Sequence, residues 1–519
     1  MSPDRTAIAG PRPTSALLFE TGEWNFDTLK RTFDAIEDIA INEMGLDPYP
    51  VQVEMISSEQ MLDAYSSIGM PVFYHHWSFG KRFTRDEAMY RKGYQGLAYE
   101  IVINSNPCIC YVMEENTMTM QALVMAHAAF GHNHFFKNNY LFKEWTDAEG
   151  ILDYLNFAKA YVTRCEEQHG VAAVERVLDA AHALMDHAVN RYGRRPRLSL
   201  AAEKKRAEER LEHQRQTYND LYRTLPTKPK TDSPVKPEHD LARRKLGMPE
   251  ENLLYFIEKF SPSLRDWERE LVRIVRNIAQ YFYPQKQTKM MNEGCATYVH
   301  YKIMNRLYDL GKISEGSMLE FLSSQANVVF QPDFDDRRYS GLNPYALGFN
   351  LMSDIERIVT EPTAEDREFM PEIAGNGDVM GTLKTVWANF RDDSCIAQYL
   401  SPNLMRKMRL FKLADQSEAP HYLVDAIHDE RGYARVRRAL ARQYDPGERD
   451  PNIQVSDVDL KGSRRLVLTH QLHNHNPLAE DNARAVLGYV ADLWGYDVQL
   501  LGIGPNDVTK YQYDASPRG

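Results

Sequence analysis

The sequence predicts an α+β protein with a mainly helical core, a small sheet and a separate C-terminal domain. Most segments space their apolar residues at three and four, as amphipathic helices do, and only a few short runs alternate as strands do. The last hundred residues change to a β-α-β-β-α-β order of short segments, which is the ferredoxin-like arrangement. With 43% hydrophobic residues the chain can bury a sizeable core.

The N-terminal part combines a small sheet with helices. "VQVEMI" at 51–56 alternates apolar and polar residues and predicts a strand. "YEIVINS" (99–105) and "CICYVME" (108–114) predict two strands joined by a tight Asn-Pro turn. "TMTMQALVMAHAAF" at 117–130 opens with a threonine cap and predicts an apolar helix that ends near Gly131.

Changes in composition divide the chain into five segments. The region 194–250 is rich in charged residues and then in Pro and Lys, which predicts a charged helix and a linker. The C-terminal domain is predicted from strands at 421–427, 453–460, 464–473 and 497–503 with two helices between them. The segments are a disordered leader at 1–20, the first part of the core at 21–193, the linker at 194–250, the second part of the core at 251–404, and the ferredoxin-like domain at 405–512.

Charge and hydropathy exclude several classes of protein. The 62 basic and 73 acidic residues give a net charge of −11, so we expect no nucleic-acid partner. No apolar run approaches the roughly 18–20 residues of a membrane helix, and the N-terminus has no apolar signal core. We therefore expect a cytoplasmic protein without a membrane partner. Five cysteines, an odd number, argue against a disulfide framework.

Three histidines, His127, His132 and His134, lie within the apolar stretch "VMAHAAFGHNHFF" at 124–136. Burying several imidazoles without partners is costly, and a metal would compensate for that cost. In an α-helix His127 and His132 point about 140° apart, so an uninterrupted helix would not bring them together. A bulge or an end at Gly131 would let His132 and His134 turn back toward His127. Ala128 stands where H-E-x-x-H proteases have their glutamate.

A second helix offers carboxylate and imidazole partners. In "MMNEGCATYVHY", Glu293 and His300 are seven residues apart and share a helical face. Glu114 and Glu115 end the predicted strand at 108–114 and are further candidates for a carboxylate at the same site. The predicted ligands of a divalent metal, with zinc as the first expectation, are His127, His132, His134, Glu293 and His300. The predicted catalytic carboxylates are Glu293, Glu114 and Glu115.

Several long stretches are similar to the stage V sporulation protein R (SpoVR) family. They include "PVFYHHWSFGKRF", "YEIVINSNPCICYVMEENTMTMQALVMAHAAFGHNHFF" and "YFYPQKQTKMMNEGCATYVHYKIM". The chain departs from the family pattern at Cys295 and Val299, where tryptophans are typical. The resemblance implies a role in sporulation, stress or stationary-phase physiology, beside a PrkA-type serine protein kinase. The family name supplies a context and no reaction.

Two functions remain open from the sequence. The first is a regulatory or partner-binding protein that retains a metal site. The alternative is a metal-dependent hydrolase of amide bonds, because "NEGCA" resembles the glutamate-bearing helix of zinc aminopeptidase-like enzymes and the order of elements is similar to a zincin layout. In the alternative, Glu293 is a ligand or base, and His300 is a ligand or a residue that orients one.

Overall fold

The computed structural model describes residues 16–67, 70, 73–91, 100–191, 246–414, 421, 423–427, 429–459, 462–472 and 476–518. It confirms a mainly helical α+β protein with small sheets. Nearly all of the predicted excursion at 194–250 lies outside the described residues, and so do residues 1–15 of the predicted leader. None of the described helices combines the length and apolar character that a membrane span requires.

The helices and strands are numbered in chain order. The α-helices are α1 Phe26–Asp38, α2 Ser58–Ser66, α3 Trp77–Arg91, α4 Met118–Val124, α5 Asn133–Asn138, α6 Tyr140–Trp145, α7 Ile151–His169, α8 Val171–Ala183, α9 Leu253–Phe260, α10 Asp266–Gln287, α11 Lys289–Asp309, α12 Glu315–Val328, α13 Pro344–Thr360, α14 Ala364–Phe369, α15 Val379–Asn389, α16 Asp392–Tyr399, α17 Pro402–Lys407, α18 Glu430–Tyr444, α19 Pro446–Arg449 and α20 Glu480–Trp494. The described residues also form two π-helical segments, Ile39–Glu43 and Met125–His132, and two 3₁₀ turns, Met185–His187 and Pro505–Asp507. The strands are β1 Val51–Ile56, β2 Glu100–Ile103, β3 Cys108–Met113, β4 Lys412–Leu413, β5 Val424–Ala426, β6 Asn452–Val458, β7 Leu466–Gln471, β8 Val498–Ile503 and β9 Thr509–Ala515.

The chain forms two compact units. The first consists of Met1–Tyr161 and Tyr283–Asp445, and the second of Val162–Phe282 and Pro446–Gly519. This grouping cuts across the predicted boundaries, which remain predictions. At the N-terminus, Leu18 and Phe19 are buried, and the Leu18 N–H donates to the Lys312 carbonyl. Leu18 and Phe19, which lie inside the predicted leader at 1–20, are therefore packed in the fold.

The first unit contains a three-stranded sheet of order β1-β3-β2. Strand β3 lies in the middle, parallel to β1 and antiparallel to β2, with Glu100 opposite Val112. Five of its six residues are buried, which explains why its sequence is continuously apolar rather than alternating. The sheet contains the three strands that the sequence predicts for this part of the chain.

Helix α11 forms the centre of the first unit. Nearly all residues from Met290 to His300 are buried, so neighbours surround the first three turns of the helix on every side. Small residues lie where other helices cross it. A Cβ atom at Gly131 would come within 2.5 Å of the Ala296 Cα, and one at Gly294 within 2.6 Å of the Gly348 backbone on α13. These crossings hold α11 against α13 on one side. On another side they hold it against the helix of His127, His132 and His134, which we call the histidine helix.

The histidine helix continues through Gly131. Helix α4, the π segment Met125–His132 and helix α5 follow one another without a break to Asn138. The predicted end near Gly131 is therefore wrong. Gly131 is required for the close approach to Ala296 and does not end the helix.

The second unit contains a four-stranded sheet of order β6-β7-β8-β9. Strand β7 is antiparallel to β6 and parallel to β8, and β9 is antiparallel to β8. The predicted ferredoxin-like domain is not confirmed. Its first strand, Val424–Ala426, pairs with Lys412–Leu413 in a separate two-stranded sheet, and Thr509–Ala515 provides the edge strand next to β8.

Candidate metal centre

His127 and His132 face the same side of the π-helical segment. A π-helix bonds residues five apart, so residues at this spacing lie about one turn from each other. The Asn133 N–H bonds to the Ala128 carbonyl in this way. The two imidazole ring centroids are 4.5 Å apart, and both side chains are almost completely buried. The change from α to π geometry thus removes the angular separation that an ordinary helix would impose.

Two carboxylates from different elements reach these imidazoles. Glu293 on α11 places Oε2 3.6 Å from the His132 Nε2 and 3.9 Å from the His127 Nε2. Glu100, at the start of β2, places Oε1 3.7 Å from the His127 Nε2. Ligand atoms of Glu100, His127 and His132 all lie within 4.8 Å of one another. We call Glu100, His127, His132 and Glu293 the metal cluster.

Hydrogen bonds determine which nitrogen of each cluster imidazole carries a proton. The Asn292 Oδ1 can only accept, so the His132 Nδ1–H donates to it at 2.9 Å. The Gln325 Oε1 accepts from the His300 Nε2–H at 2.7 Å, which leaves the His300 Nδ1 as the acceptor for the His127 Nδ1–H at 2.9 Å. His127 and His132 therefore both present an Nε2 lone pair toward the carboxylates. This is the arrangement in which protein partners orient metal-binding histidines.

The electrostatics of the cluster suit a cation. Burial and the neighbouring imidazoles of His132 and His300 hold the pKa of His127 well below its usual value, so His127 stays neutral. Burial lowers the pKa of His300 to about 4. Burial, followed by the negative charge of Glu293, raises the pKa of Glu100 to about 8. The Glu293 Oε2 is buried and makes no hydrogen bond. A divalent cation would compensate for the unpartnered oxygen and for the two adjacent carboxylates.

The donor set fits a first-row divalent metal. Two ligand atoms that each lie about 2.1 Å from a tetrahedral zinc are about 3.4 Å apart. Three donor separations, 3.6, 3.7 and 3.9 Å, are slightly longer than that value, and the donors of Glu100, His127 and His132 lie within 4.8 Å of one another, so a bound metal would draw the ligands closer together. Imidazole with carboxylate also suits iron and manganese, so the ligand types alone do not select zinc.

The other predicted site residues have different surroundings. His300 orients His127 from behind and does not face the carboxylates. The His134 Nδ1 accepts from the Asp47 N–H at 2.9 Å, and its ring lies edge-on to Trp387, so His134 is not part of the metal cluster. Glu114 and Glu115 are exposed, and Glu115 accepts from the Ser58 N–H at the start of α2. The metal cluster includes neither glutamate.

Sequence reasoning missed Glu100 and Tyr345. Glu100 is the one charged residue in the strand "EIVI", and its register opposite Val112 places it on the sheet face of Cys110 and Val112, which are both buried. That isolated acid in an apolar strand was an available signal. Tyr345 lies near the start of α13. Burial raises its pKa, and the carboxylates of Glu293 and Glu100 raise it further, which locates its hydroxyl beside both.

The fold and the cluster define a class: a mainly helical α+β protein with a candidate divalent-metal centre. His127 and His132 lie five residues apart on the π-helical segment, and the predicted zincin-like layout is not confirmed. Residues 23–449 match the family model described as "SpoVR like protein", and residues 451–504 match the one described as "SpoVR-like C-terminal domain". The chain therefore belongs to the SpoVR family, as the sequence motifs predicted.

A bacterial relative spans nearly the same length. The "Uncharacterized protein YcgB" of Escherichia coli (strain K12) is 52% identical over 483 residues, which cover 93% of each chain. No solved structure matches the chain. The comparisons thus establish the family and leave the reaction open.

Proposed function

We propose that this SpoVR-family protein binds one divalent metal ion at Glu100, His127 and His132, with Glu293 as a fourth ligand or as a base beside the metal. The observation that carries the proposal is the orientation of the two imidazoles. Each donates its Nδ1–H to a buried partner and turns its Nε2 lone pair toward the carboxylates. Any buried histidine needs a hydrogen-bond partner, but a core does not require two Nε2 atoms to converge on the carboxylates of Glu100 and Glu293.

Metal analysis of protein purified without a histidine tag tests the proposal. We expect about one zinc, iron or manganese ion per chain and loss of the ion in His132→Ala. Glu293→Gln should lose the ion as well if Glu293 is a ligand and should retain it if Glu293 is a base. His134→Gln is the matched control because His134 lies on the same helix and faces a different environment. Metal-free wild-type protein that also fails to bind added zinc or cobalt would refute the proposed site.

A metal-dependent hydrolase of amide bonds is the second candidate function. It is favoured by the partial exposure of the Glu100 and Glu293 side chains, 19% and 15%, beside imidazoles that are 6% and 9% exposed. Three ligands from Glu100, His127 and His132 would leave a position open for substrate, as in catalytic zinc sites. A bound metal would lower the pKa of water and polarise a carbonyl. Glu293, whose Oε2 makes no hydrogen bond, would accept the proton.

The protein could use the metal to bind a regulatory partner or to hydrolyse amide bonds, and these two functions differ in what Glu293→Gln changes. A hydrolase would lose turnover of peptide or peptidoglycan-fragment substrates, even where the variant retains metal at high concentration. A regulatory protein would have no turnover to lose and would depend on metal for partner binding. Co-purification with a PrkA-type serine protein kinase, compared between wild type and His132→Ala, tests the regulatory role.

A further inference from the structure

Helix α18 (Glu430–Tyr444) carries a row of four arginines on one side. Arg431, Arg435, Arg438 and Arg442 stand at positions i, i+4, i+7 and i+11, and all four are exposed. At 100° per residue they lie within an arc of about 60°, and the row is about 16 Å long. We call these four residues the arginine row.

Packing on the opposite side of α18 holds the row outward. Val436 and Leu440 are buried, and α18 packs against α16 within the first unit. Arg437 lies outside the row: its Nε–H donates to the Leu400 carbonyl, and its guanidinium lies over the Phe369 ring. The helix therefore uses one arginine for its own packing and presents four others to solvent.

The charge of the arginine row is largely uncompensated. Arg435 pairs with Asp425. Within the part of the chain that the structure describes, Arg431, Arg438 and Arg442 form no ion pair with an acidic side chain. Like charges three or four residues apart on a helix repel each other by about 0.2–0.5 kcal/mol per pair. An external anion bound to the arginine row would relieve this repulsion. Without a bound anion, the repulsion only destabilises the helix.

The row fits carboxylates of a second helix better than nucleic acid. Guanidinium groups bind carboxylates in a planar two-point contact. A second α-helix with acids at the same spacing presents its carboxylates at the same interval along one face. The net charge of −11 opposes a duplex, which is charged along its whole length, more strongly than a single helix that carries one row of acids. None of the described helices of this chain has acids at all four matching positions, which argues against a second copy.

We propose that the arginine row is a docking surface for an acidic α-helix of a partner protein. The partner helix presents Asp or Glu at i, i+4, i+7 and i+11 along one face. This proposal is independent of the metal centre.

The test measures binding of two labelled synthetic helical peptides to the full chain by fluorescence anisotropy at low salt. In one peptide four glutamates form a single row at the matching spacing; its isomer has the same composition with the glutamates spread around the helix. We expect the in-line peptide to bind about tenfold tighter than its isomer, from several ion pairs of up to about 1 kcal/mol each. Arg431→Gln/Arg438→Gln/Arg442→Gln should remove that preference.

A charge-matched triple variant is the control. Arg164→Gln/Arg176→Gln/Lys510→Gln removes the same charge from exposed positions elsewhere and should bind the in-line peptide within twofold of wild type. The row variant should unfold at the wild-type temperature or slightly above it, because repulsion is relieved. Equal losses in both triple variants would overturn the proposal. So would tighter binding of a DNA duplex through the same arginines, or self-association that the row variant abolishes.

Discussion

Gly294→Ala should destabilise the protein and weaken the metal centre together. A Cβ atom at position 294 would lie 2.6 Å from the Gly348 backbone, whereas ordinary contact begins at 3.4 Å. Helices α11 and α13 must therefore move apart by about 0.8 Å. A gap of that size forfeits about a quarter to a half of the dispersion energy of the atoms on either side. Overpacking typically costs up to about 3 kcal/mol of stability. Alanine recovers about 1 kcal/mol because its helix propensity exceeds that of glycine. We therefore expect the free energy of unfolding to fall by about 2 kcal/mol.

The effect on metal binding follows from the position of Glu293, the residue before Gly294. Metal–ligand distances vary by only about 0.2 Å in functional sites. A displacement of about 0.8 Å should therefore lower the affinity for zinc or cobalt by at least about tenfold, as for other losses of ligand orientation. The assays are urea unfolding in the presence of a chelator and metal titration of the folded protein.

Gly80→Ala provides the matched control. Gly80 lies inside helix α3, and a Cβ atom there would meet nothing within 4 Å. The same substitution should raise the free energy of unfolding by about 0.5–1 kcal/mol and leave metal affinity unchanged. Our reasoning is refuted if Gly294→Ala is as stable as wild type. It is also refuted if Gly294→Ala loses stability and still binds metal with wild-type affinity, because the helix crossing would then not position Glu293.

Three further outcomes are expected. Asn292→Ala removes the acceptor of the His132 Nδ1–H and should lower metal affinity by about 10–100-fold, measured by competition with a chromogenic chelator; unchanged affinity would show that the ring needs no such partner. Without metal, Glu100 retains its proton up to a pKa of about 8, against 4.5 in the unfolded chain, so wild-type stability should fall as the pH rises between these values. Glu100→Gln should flatten that slope in chelator-treated protein, and an equal slope in both proteins would contradict the assigned shift. Phe19→Ala should cost about 3 kcal/mol because Phe19 is buried, whereas Phe26→Ala, at a side chain that is 75% exposed, should change stability by less than about 1 kcal/mol in the same urea titration.

The elements that the sequence predicted well are those in which consecutive residues are all buried. The continuous burial of β3 appears directly in its apolar composition. The C-terminal topology failed because it depends on pairing between distant segments. Val424–Ala426 is only three residues long and satisfies its backbone with Lys412–Leu413, whereas Thr509–Ala515 follows β8 closely and pairs with it. Local periodicity contains no information about that choice.

The metal cluster shows the same division between local and distant information. The histidines at 127, 132 and 134 were recognisable because they interrupt an apolar run, and Glu293 and His300 because they share one face of a helix. The turn between β2 and β3 was predictable, but Glu100 reaches the histidines because β2 also packs against the π segment Met125–His132, a contact that no spacing within either segment encodes.

The spacing of His127 and His132 had a meaning that the α-helical assumption concealed. Five residues are an awkward interval for an α-helix and one turn of a π-helix. Two polar residues at that interval, inside a helix that is otherwise apolar, must either face different environments or change the helix. Both side chains are buried and their rings are in contact, so here the helix has changed. A π turn is a less favourable backbone conformation than an α turn, and it persists only where other contacts compensate for that cost. In this protein the compensating contacts are the paired Nδ1–H hydrogen bonds and the close approach of Gly131 to Ala296.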